Sequence, residues 1–221
     1  MCSGQLLIVM CGLPGTGKTT AARHMAPAVH AEILSTDGVR RQILKECTLQ
    51  EILESKDPML CDIQRVFDAL PSIPSKYQNM IWLQNEMVYE EVVKRTSYGL
   101  KEKSMILDGT FSKRKVRERL YETAKDSNQN PYVVYCICPE EIVKKRFDRR
   151  RATIDELSNV DKMSIYFKVK LAFEDPLQDD APVITYDSEK LSVSIQNAER
   201  GLSSEISLIE SLLESISAPR T

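Results

Sequence analysis

Short apolar runs alternate along the chain with longer segments in which apolar residues recur every three or four positions. A short, mainly apolar run is typical of a buried strand, and the wider spacing is typical of an amphipathic helix. The runs that predict strands are 6–11, 31–35, 104–108, 131–138 and 182–187. Because helical segments separate these runs, the pattern predicts a five-stranded parallel sheet with helices packed on it.

The connection between the second and third predicted strands is unusually long. Segment 46–77 combines scattered apolar residues with prolines, so we interpret it as two short helices and a proline-rich turn inserted over the core. Such an insertion caps an acceptor site or serves as a purely structural flap, and the sequence leaves both open. Amphipathic helices are predicted further along the chain, at 77–101, 112–125 and 159–173.

The C-terminal segment 188–221 is predicted to be a helical extension. Its apolar residues alternate spacings of four and three, which gives an a/d stripe. The stripe consists of Leu202, Ile206, Ile209, Leu213 and Ile216. It spans barely two heptads, so we expect the helix to dock on its own domain rather than to form a dimer. The oligomeric state stays open.

A glycine-rich segment, GLPGTGKT at 12–19, joins the first strand to the first helix. It matches the pattern G-x-x-x-x-G-K-[ST], in which glycines let backbone amides surround a phosphate and the helix N-terminus adds unpaired N–H groups. Lys18 is placed to reach the β- and γ-phosphates and Thr19 to ligate Mg²⁺. The predicted nucleotide-binding residues are Gly12, Leu13, Pro14, Gly15, Thr16, Gly17, Lys18, Thr19 and Thr20. A simple glycine-rich turn would explain neither the Lys-Thr pair nor the spacing.

Two predicted strands end in, or lead directly into, an aspartate. Asp37 opens the helix after the second strand, with Arg40 one turn later, and Asp108 ends the third strand. The carboxyl ends of parallel strands form the ligand crevice of such folds, so we expect Asp37 to leave its strand beside the phosphate loop. A carboxylate there can take a proton from an attacking hydroxyl, and Asp108 can orient Mg²⁺. Helix capping is the competing account of both aspartates.

Basic residues are concentrated in two predicted helices. The helix at 112–125 carries Lys113, Arg114, Lys115, Arg117 and Arg119, most of which we interpret as a solvated face. The helix that begins after Pro139 ends in an arginine-rich stretch, which we interpret as a lid over 146–158. Arginines closing over a nucleotide would stabilise the transferring phosphoryl group, and Arg146 and Arg150 lie on one helical face.

Composition is ordinary for a globular protein. The chain has 221 residues, 42% hydrophobic and 28% charged, which is most simply one domain, 1–221. No apolar run approaches the ~20 residues needed to span a bilayer, and no secretory leader precedes the first strand, so we expect a cytoplasmic protein without membrane contact. The six cysteines lack zinc-ribbon spacing and are expected to be core thiols. The net charge of −2 gives no global field for nucleic acid.

Taken together, the motifs resemble the family of P-loop kinases that includes polynucleotide kinase and zeta-toxin-like phosphotransferases. The matching segments, which extend over most of 5–187, are CGLPGTGKTT at 11–20, STDGVRRQIL at 35–44, ILDGTFSKRKVR at 106–117, YCICPEEIVKKRFDRR at 135–150 and AFEDPL at 172–177. The resemblance implies a three-layer α/β/α sandwich, a P-loop NTPase of the nucleoside-monophosphate-kinase-like type with an arginine-rich lid. The insertion at 46–77 is longer than the resemblance leads us to expect.

The resemblance also implies roles for the candidate residues. The aspartate matching Asp37 would be the base on the acceptor hydroxyl, Arg40 would bind near the acceptor, and Arg146 and Arg150 would contact the ATP phosphates. The expected activity is transfer of the γ-phosphoryl group from ATP, with Mg²⁺, to a hydroxyl on a small molecule or on the 5′ end of a polynucleotide. The near-neutral net charge favours the small molecule.

The alternative from another class is an ATP-hydrolysing switch. Against it, Asp108 is followed by Gly109 and Thr110 rather than by a glutamate that could activate water. The sequence also lacks an Asn-Lys-x-Asp stretch of the kind that recognises guanine, so ATP is the default nucleotide.

Overall fold

The structure of the chain is a computed structural model. At its centre is a mixed β-sheet with helices packed on both faces. The structure describes residues 5–45, 88–151 and 162–216. The predicted insertion at 46–77 lies outside the described residues, as does the part of the predicted lid from 152 to 158.

Within the described ranges the sheet has six strands. They are β1 (Leu7–Cys11), β2 (Ala31–Ser35), β3 (Ser104–Asp108), β4 (Pro131–Ile137), β5 (Val183–Asp187) and β6 (Ser192–Gln196). Their order is β2-β3-β1-β4-β5-β6, and every neighbouring pair is parallel except β5 and β6. The predicted α/β fold is confirmed, and the five predicted strands agree with the structure to within one residue at either end.

The sixth strand corrects the prediction of a purely helical segment over 188–221. Residues 192–196 read Ser-Val-Ser-Ile-Gln, an alternation of polar and apolar residues that suits an edge strand with one face on the core. Val193 and Ile195 pack against the core, and Leu191 turns the chain back with a φ of 54°. The alternation covers only five residues, and its apolar positions are too few to stand out beside the following helical stripe.

The strand order also corrects the expected neighbour of β2. β3 lies between β1 and β2, so Ser35 at the end of β2 pairs with Asp108 rather than with the phosphate loop. Asp108 therefore sits between the loop that follows β1 and the helix that carries Asp37. Sequence patterns predict strands but do not fix which strands become neighbours.

Seven helices accompany the sheet in the described ranges. They are α1 (Lys18–Ala28), α2 (Thr36–Lys45), α3 (88–99), α4 (Arg114–Asp126), α5 (Glu140–Arg151), α6 (Lys162–Leu171) and α7 (Ser203–Glu214). The predicted helix at 77–101 is helical over 88–99, and residues 77–87 lie outside the described residues. The helix predicted at 159–173 corresponds to α6.

Alternation along the central strand divides the core into two layers. Ile8 and Met10 face one layer, which includes α1 and α7, whereas Leu7, Val9 and Cys11 face the layer beneath α3 and α4. All five side chains are fully buried. A central strand covered on both faces explains why its sequence is continuously apolar rather than alternating.

The described cysteines are thiols, two of them in the core. Cys11 and Cys136 are buried, and Cys138 is partly buried. Burial raises the pKa of Cys11 and of Cys136 to about 12, so both are protonated at neutral pH. Among the described helices, none combines the length and apolarity needed to cross a bilayer.

The C-terminal helix docks on its own chain, as the sequence predicts. Ile206, Ile209 and Leu213 are buried in the layer that contains α1. At the end of the helix, His24 and Ser215 form a hydrogen bond of 2.8 Å between Nε2 and Oγ. The helix thus covers a face of the sheet that α1 alone leaves open.

Replacing Ile209 tests this docking. Ile209→Ala should lower the free energy of unfolding by about 2–5 kcal/mol, because it leaves a cavity under α7. Leu208→Ala on the same helix is the matched control, since Leu208 is 42% exposed, and it should change stability by less than ~0.5 kcal/mol. Urea unfolding measures the free energy of unfolding of both variants. A loss in Ile209→Ala as small as that in Leu208→Ala would contradict the burial of Ile209 under α7.

Candidate active site

The carboxyl ends of the parallel strands meet at one edge of the sheet. Register pairs Met10 with Asp108 and Ser35 with Asp108, so the residues that follow β1, β2 and β3 emerge side by side. On the other flank, Ile137 pairs with Asp187 near the ends of β4 and β5. This shared edge carries the described candidate residues of the sequence.

The phosphate loop occupies residues 12–17 and leads directly into α1. Gly12, Gly15 and Gly17 have φ values of 139°, 82° and 97°, all in the region that L side chains rarely adopt. A Cβ on Gly12 would lie 2.3 Å from the carbonyl oxygen of Cys136, and one on Gly15 would lie 2.8 Å from Val143 Cγ1. The glycines are therefore required both by conformation and by space.

The carbonyl oxygen of Leu13 accepts two hydrogen bonds from side chains of the loop and of α1. Thr16 Oγ1 donates to that oxygen at 2.8 Å, and Lys18 Nζ donates to it at 2.7 Å. Lys18 is only 8% exposed, and burial lowers the pKa of its ammonium group. The loop therefore holds a buried basic side chain beside the backbone of 12–17, as a phosphate site needs.

The first turn of α1 supplies a hydroxyl to the end of β3. Lys18, Thr19 and Thr20 form this turn, and no side chain caps its N-terminus at Gly17. Thr19 Oγ1 donates to Asp108 Oδ2 at 2.7 Å. Asp108 is 8% exposed, so its carboxylate lies at the inner end of the site. A hydroxyl and a carboxylate are the oxygen ligands that Mg²⁺ prefers in proteins.

Asp37 and Arg40 form an ion pair in the first turns of α2. Arg40 Nη1 donates to Asp37 Oδ1 at 2.9 Å, and the side chain of Asp37 is 75% exposed. Tyr89 of α3 lies on the same side of the site. Burial raises the pKa of Tyr89, and the charges of Arg40 and Asp37 also act on its hydroxyl. Tyr89 was not a candidate from the sequence, because a tyrosine in an amphipathic helix carries no distinguishing signal.

Arg146 reaches from α5 to the phosphate loop. Its Nη1 donates to the carbonyl oxygen of Gly15 at 3.1 Å and to Ser188 Oγ at 2.9 Å, and its Nη2 donates to the Ser188 carbonyl at 3.0 Å. Ser188 directly follows β5, a position that could have been predicted from the strand end alone. Arg150 belongs to the same helix, and its side chain lies outside the described part of the structure.

One basic residue of α4 departs from the predicted solvated face. Arg117 is fully buried and forms an ion pair with Asp179, which is also fully buried. The other basic residues of this stretch, Lys113, Arg114, Lys115 and Arg119, are exposed or partly exposed, so composition alone could not single out Arg117.

Residues 7–166 match a protein family described as an AAA domain. The match covers more than half of the 221 residues. The chain belongs to this AAA domain family. The matched range includes the phosphate loop, Asp37, Asp108 and Arg146, whereas β5, β6 and α7 lie beyond it.

Solved structures share the fold of this AAA-domain protein. A gluconokinase from Sinorhizobium meliloti 1021 aligns with a TM-score of 0.54 at 14% identity, covering 94% of this chain and 91% of that one. An unliganded sugar kinase from Janibacter sp. HTCC2649 also aligns with a TM-score of 0.54, at 18% identity, covering 96% and 93% of the two chains. No curated protein matches the sequence significantly. At these identities the similarity shows the fold.

The site of this AAA-domain protein fits a nucleoside triphosphate with its metal ion. Glycines that tolerate no Cβ form the cradle, and Lys18 lies inside it. Thr19 and Asp108 provide adjacent oxygen ligands. On the far side of Asp108, Asp37 offers an exposed carboxylate to a second molecule. Two compounds could therefore bind at one edge of the sheet, a polyphosphate and an acceptor.

Replacing Gly12 tests the cradle. Gly12→Ala should abolish binding of a fluorescent ATP analogue and lower the free energy of unfolding by about 1–3 kcal/mol, because the new Cβ meets the Cys136 carbonyl. Gly38→Ala in helix α2 is the control, since its Cβ would lie 3.6 Å from Ser35 Cβ, an ordinary van der Waals contact. That control should keep affinity and become slightly more stable. Intact nucleotide binding in Gly12→Ala would contradict the assignment.

Proposed function

We propose that the protein is an ATP-dependent kinase that transfers the γ-phosphoryl group to a hydroxyl of a small molecule. The proposal is carried by the hydrogen bond of 2.7 Å between Thr19 and Asp108 beside the buried ammonium of Lys18. This arrangement combines a phosphate cradle, a candidate metal site and an adjacent exposed carboxylate at residue 37.

The donor side of the site would be formed by the phosphate loop. The backbone amides of Gly15 and Gly17 and the N-terminus of α1 would bind the phosphates, with Lys18 beside the β- and γ-phosphates. Thr19 and Asp108 would hold Mg²⁺. Bound Mg²⁺-ATP would supply the phosphoryl group and neutralise part of its charge. Arg146, already in contact with Gly15, adds positive charge on the α5 side, and Arg150 remains a candidate for the same role.

The acceptor side would be formed by Asp37 and Arg40. Asp37 accepts the proton of the acceptor hydroxyl as its oxygen bonds to the γ-phosphorus and the bond to the departing ADP breaks. Arg40 donates to Asp37 at 2.9 Å, which holds the carboxylate in place and keeps a positive charge near the acceptor. The exposure of Asp37 leaves it accessible to a molecule from solution.

Sugars and sugar acids are the first acceptors to test. Two proteins of the same fold are named gluconokinase and sugar kinase, and the net charge of −2 gives little support for a polynucleotide. The resemblance to polynucleotide kinase makes an oligonucleotide with a free 5′-hydroxyl the second acceptor class to include.

ADP release with a panel of acceptors tests the proposal. The panel contains sugars, sugar acids, nucleosides and a 5′-hydroxyl oligonucleotide, each compared with the enzyme and Mg²⁺-ATP alone. One class of acceptor should strongly increase the rate of ADP release by a kinase, whereas an ATP-hydrolysing switch releases ADP at the same rate with every addition.

Replacing Lys18 tests whether the phosphate loop is the catalytic site. Lys18→Ala should lower the rate of ADP release by ~100-fold or more, because it removes a single preorganised charge. A near-normal rate in this variant would show that the activity originates at another site.

Asp37→Asn tests the base directly. With the stimulating acceptor, kcat should fall by ~100-fold or more, because the amide cannot accept the hydroxyl proton. Binding of the fluorescent ATP analogue should stay at the wild-type level, since Asp37 lies on the acceptor side. Asp126→Asn, at an exposed position at the end of α4, is the matched control and should leave kcat unchanged. A wild-type kcat in Asp37→Asn would exclude Asp37 as the base.

A further inference from the structure

The loop between β3 and α4, residues 109–113, is held from behind by segment 174–179. Two carboxylates of this segment, Glu174 and Asp179, bind the loop and the beginning of α4. The loop begins directly after Asp108, the candidate metal ligand. The segment follows α6 and lies outside the strands and helices that form the candidate site.

Arg117 and Asp179 form the buried part of this contact. Arg117 Nε donates to Asp179 Oδ2 at 2.5 Å and Nη2 donates to Oδ1 at 2.9 Å, so the pair is bidentate. Tyr121 adds a hydrogen bond of 2.7 Å from its hydroxyl to Oδ2. The carbonyl oxygen of Asp179 accepts from Arg200 at 2.9 Å. Hydrogen bonds to Arg117 and to its partner Asp179 therefore fix the position of the guanidinium.

The third donor of Arg117 fixes the loop itself. Nη1 donates to the carbonyl oxygen of Phe111 at 2.8 Å. Phe111 has a φ of 42°, which is unusual for a bulky residue and has to be held by its surroundings. Its ring is fully buried and lies 5.7 Å from the ring of Tyr89, measured between centroids. Arg117 thus holds the backbone of the loop in a conformation that it would not adopt readily by itself.

The same loop borders the phosphate cradle. The amide of Gly12 donates to the Thr110 carbonyl oxygen at 3.3 Å, and Asp108 precedes the loop by one residue. Phe111 is three residues after Asp108 and one residue after Thr110, whose carbonyl oxygen contacts Gly12. A change in the backbone at Phe111 would therefore shift both Asp108 and the contact with Gly12. On the other side, the ring of Phe111 supports Tyr89 near Asp37 and Arg40.

Glu174 holds the other end of the loop. Its Oε2 accepts from the amide of Arg114 at 2.7 Å, its Oε1 accepts from Lys113 Nζ at 3.0 Å, and its own amide donates to the Ser112 carbonyl at 2.9 Å. The hydrogen bond from the Arg114 amide lowers the pKa of Glu174, so this carboxylate is charged at neutral pH. Loop 109–113 is therefore fixed at its centre by Arg117 and at its end by Glu174.

We propose that Arg117 and Asp179 are positioning residues that set the backbone of loop 109–113 and thereby hold Asp108 in place for Mg²⁺. The inference rests on the proposed function, because that function supplies the metal. A buried ion pair contributes little net stability compared with apolar residues of similar size, whereas its directional hydrogen bonds define one geometry. The guanidinium is needed because it can bind a carboxylate and a backbone carbonyl at the same time.

Binding of a fluorescent ATP analogue, measured with and without Mg²⁺, tests the proposal without any acceptor. The double variant Arg117→Met/Asp179→Leu removes both charges and the bond to Phe111. Its affinity without Mg²⁺ should equal that of the wild type, while the gain in affinity on adding Mg²⁺ should fall about tenfold, the usual effect of removing a group that orients a metal ligand. A folded double variant with the full Mg²⁺ gain would overturn the proposal.

Single variants keep the test informative if the double variant does not fold. Arg117→Lys keeps the positive charge but replaces the three donor nitrogens used by Arg117 with one, which cannot reproduce the bidentate bond to Asp179 and the bond to the Phe111 carbonyl together, so it should also lose much of the Mg²⁺ gain. Tyr121→Phe removes one hydrogen bond to Asp179 and leaves the Arg117 bond to Phe111 intact, so it should keep the gain. Equal losses in these two variants would overturn the specific role of the Phe111 bond.

Asp180→Asn is the matched control for the segment. Asp180 adjoins Asp179, is 76% exposed and pairs with Arg200, so this variant should behave as the wild type. The two proposals fail separately. Acceptor-independent ADP release with an intact Mg²⁺ gain would exclude the kinase alone, whereas wild-type Mg²⁺ gains in the Arg117 variants would exclude only the positioning role.

Discussion

The hydrogen bond between Thr19 and Asp108 depends on almost every other feature of the described structure. Thr19 is placed by the phosphate loop and the start of α1, and Asp108 is placed by the pairing of β3 with β1. A shift of one residue in that register would turn Asp108 to the opposite face of the sheet. The packed side chains of the two core layers resist such a shift, because it would exchange residues of different size and shape between the two faces of the strand.

The charged residues of the site differ in how deeply they are buried. Lys18 and Asp108 are buried beside the phosphate loop, where the low dielectric would strengthen the action that we propose for them on a phosphate and a metal ion. Asp37 and Arg40 lie further out, where a second molecule can reach them. Between these two regions runs loop 109–113, fixed from behind by buried charges of its own. The inner half of the site is thus buried and hydrogen-bonded, and the outer half is exposed to solvent.

Much of this arrangement is predictable from the sequence, because the signals are local. The phosphate loop depends on glycine spacing and on a neighbouring strand and helix, and Asp108 ends a run of apolar residues. Long-range relations are not predictable in the same way. The position of β3 between β1 and β2, the strand at 192–196 and the burial of Arg117 all depend on residues distant in the chain. Arg117 is informative, because its partner Asp179 lies 62 positions away and no local pattern links the two.

The position of β1 at the centre of the sheet has a consequence for the newly made chain on the ribosome. Leu7 pairs with Met105 on one side and with Pro131 on the other, so both partners of β1 are translated about a hundred residues after it. Until then, the most apolar of the described strands has no sheet to join. Its continuously apolar sequence therefore stays without both of its strand partners until β4 has been translated.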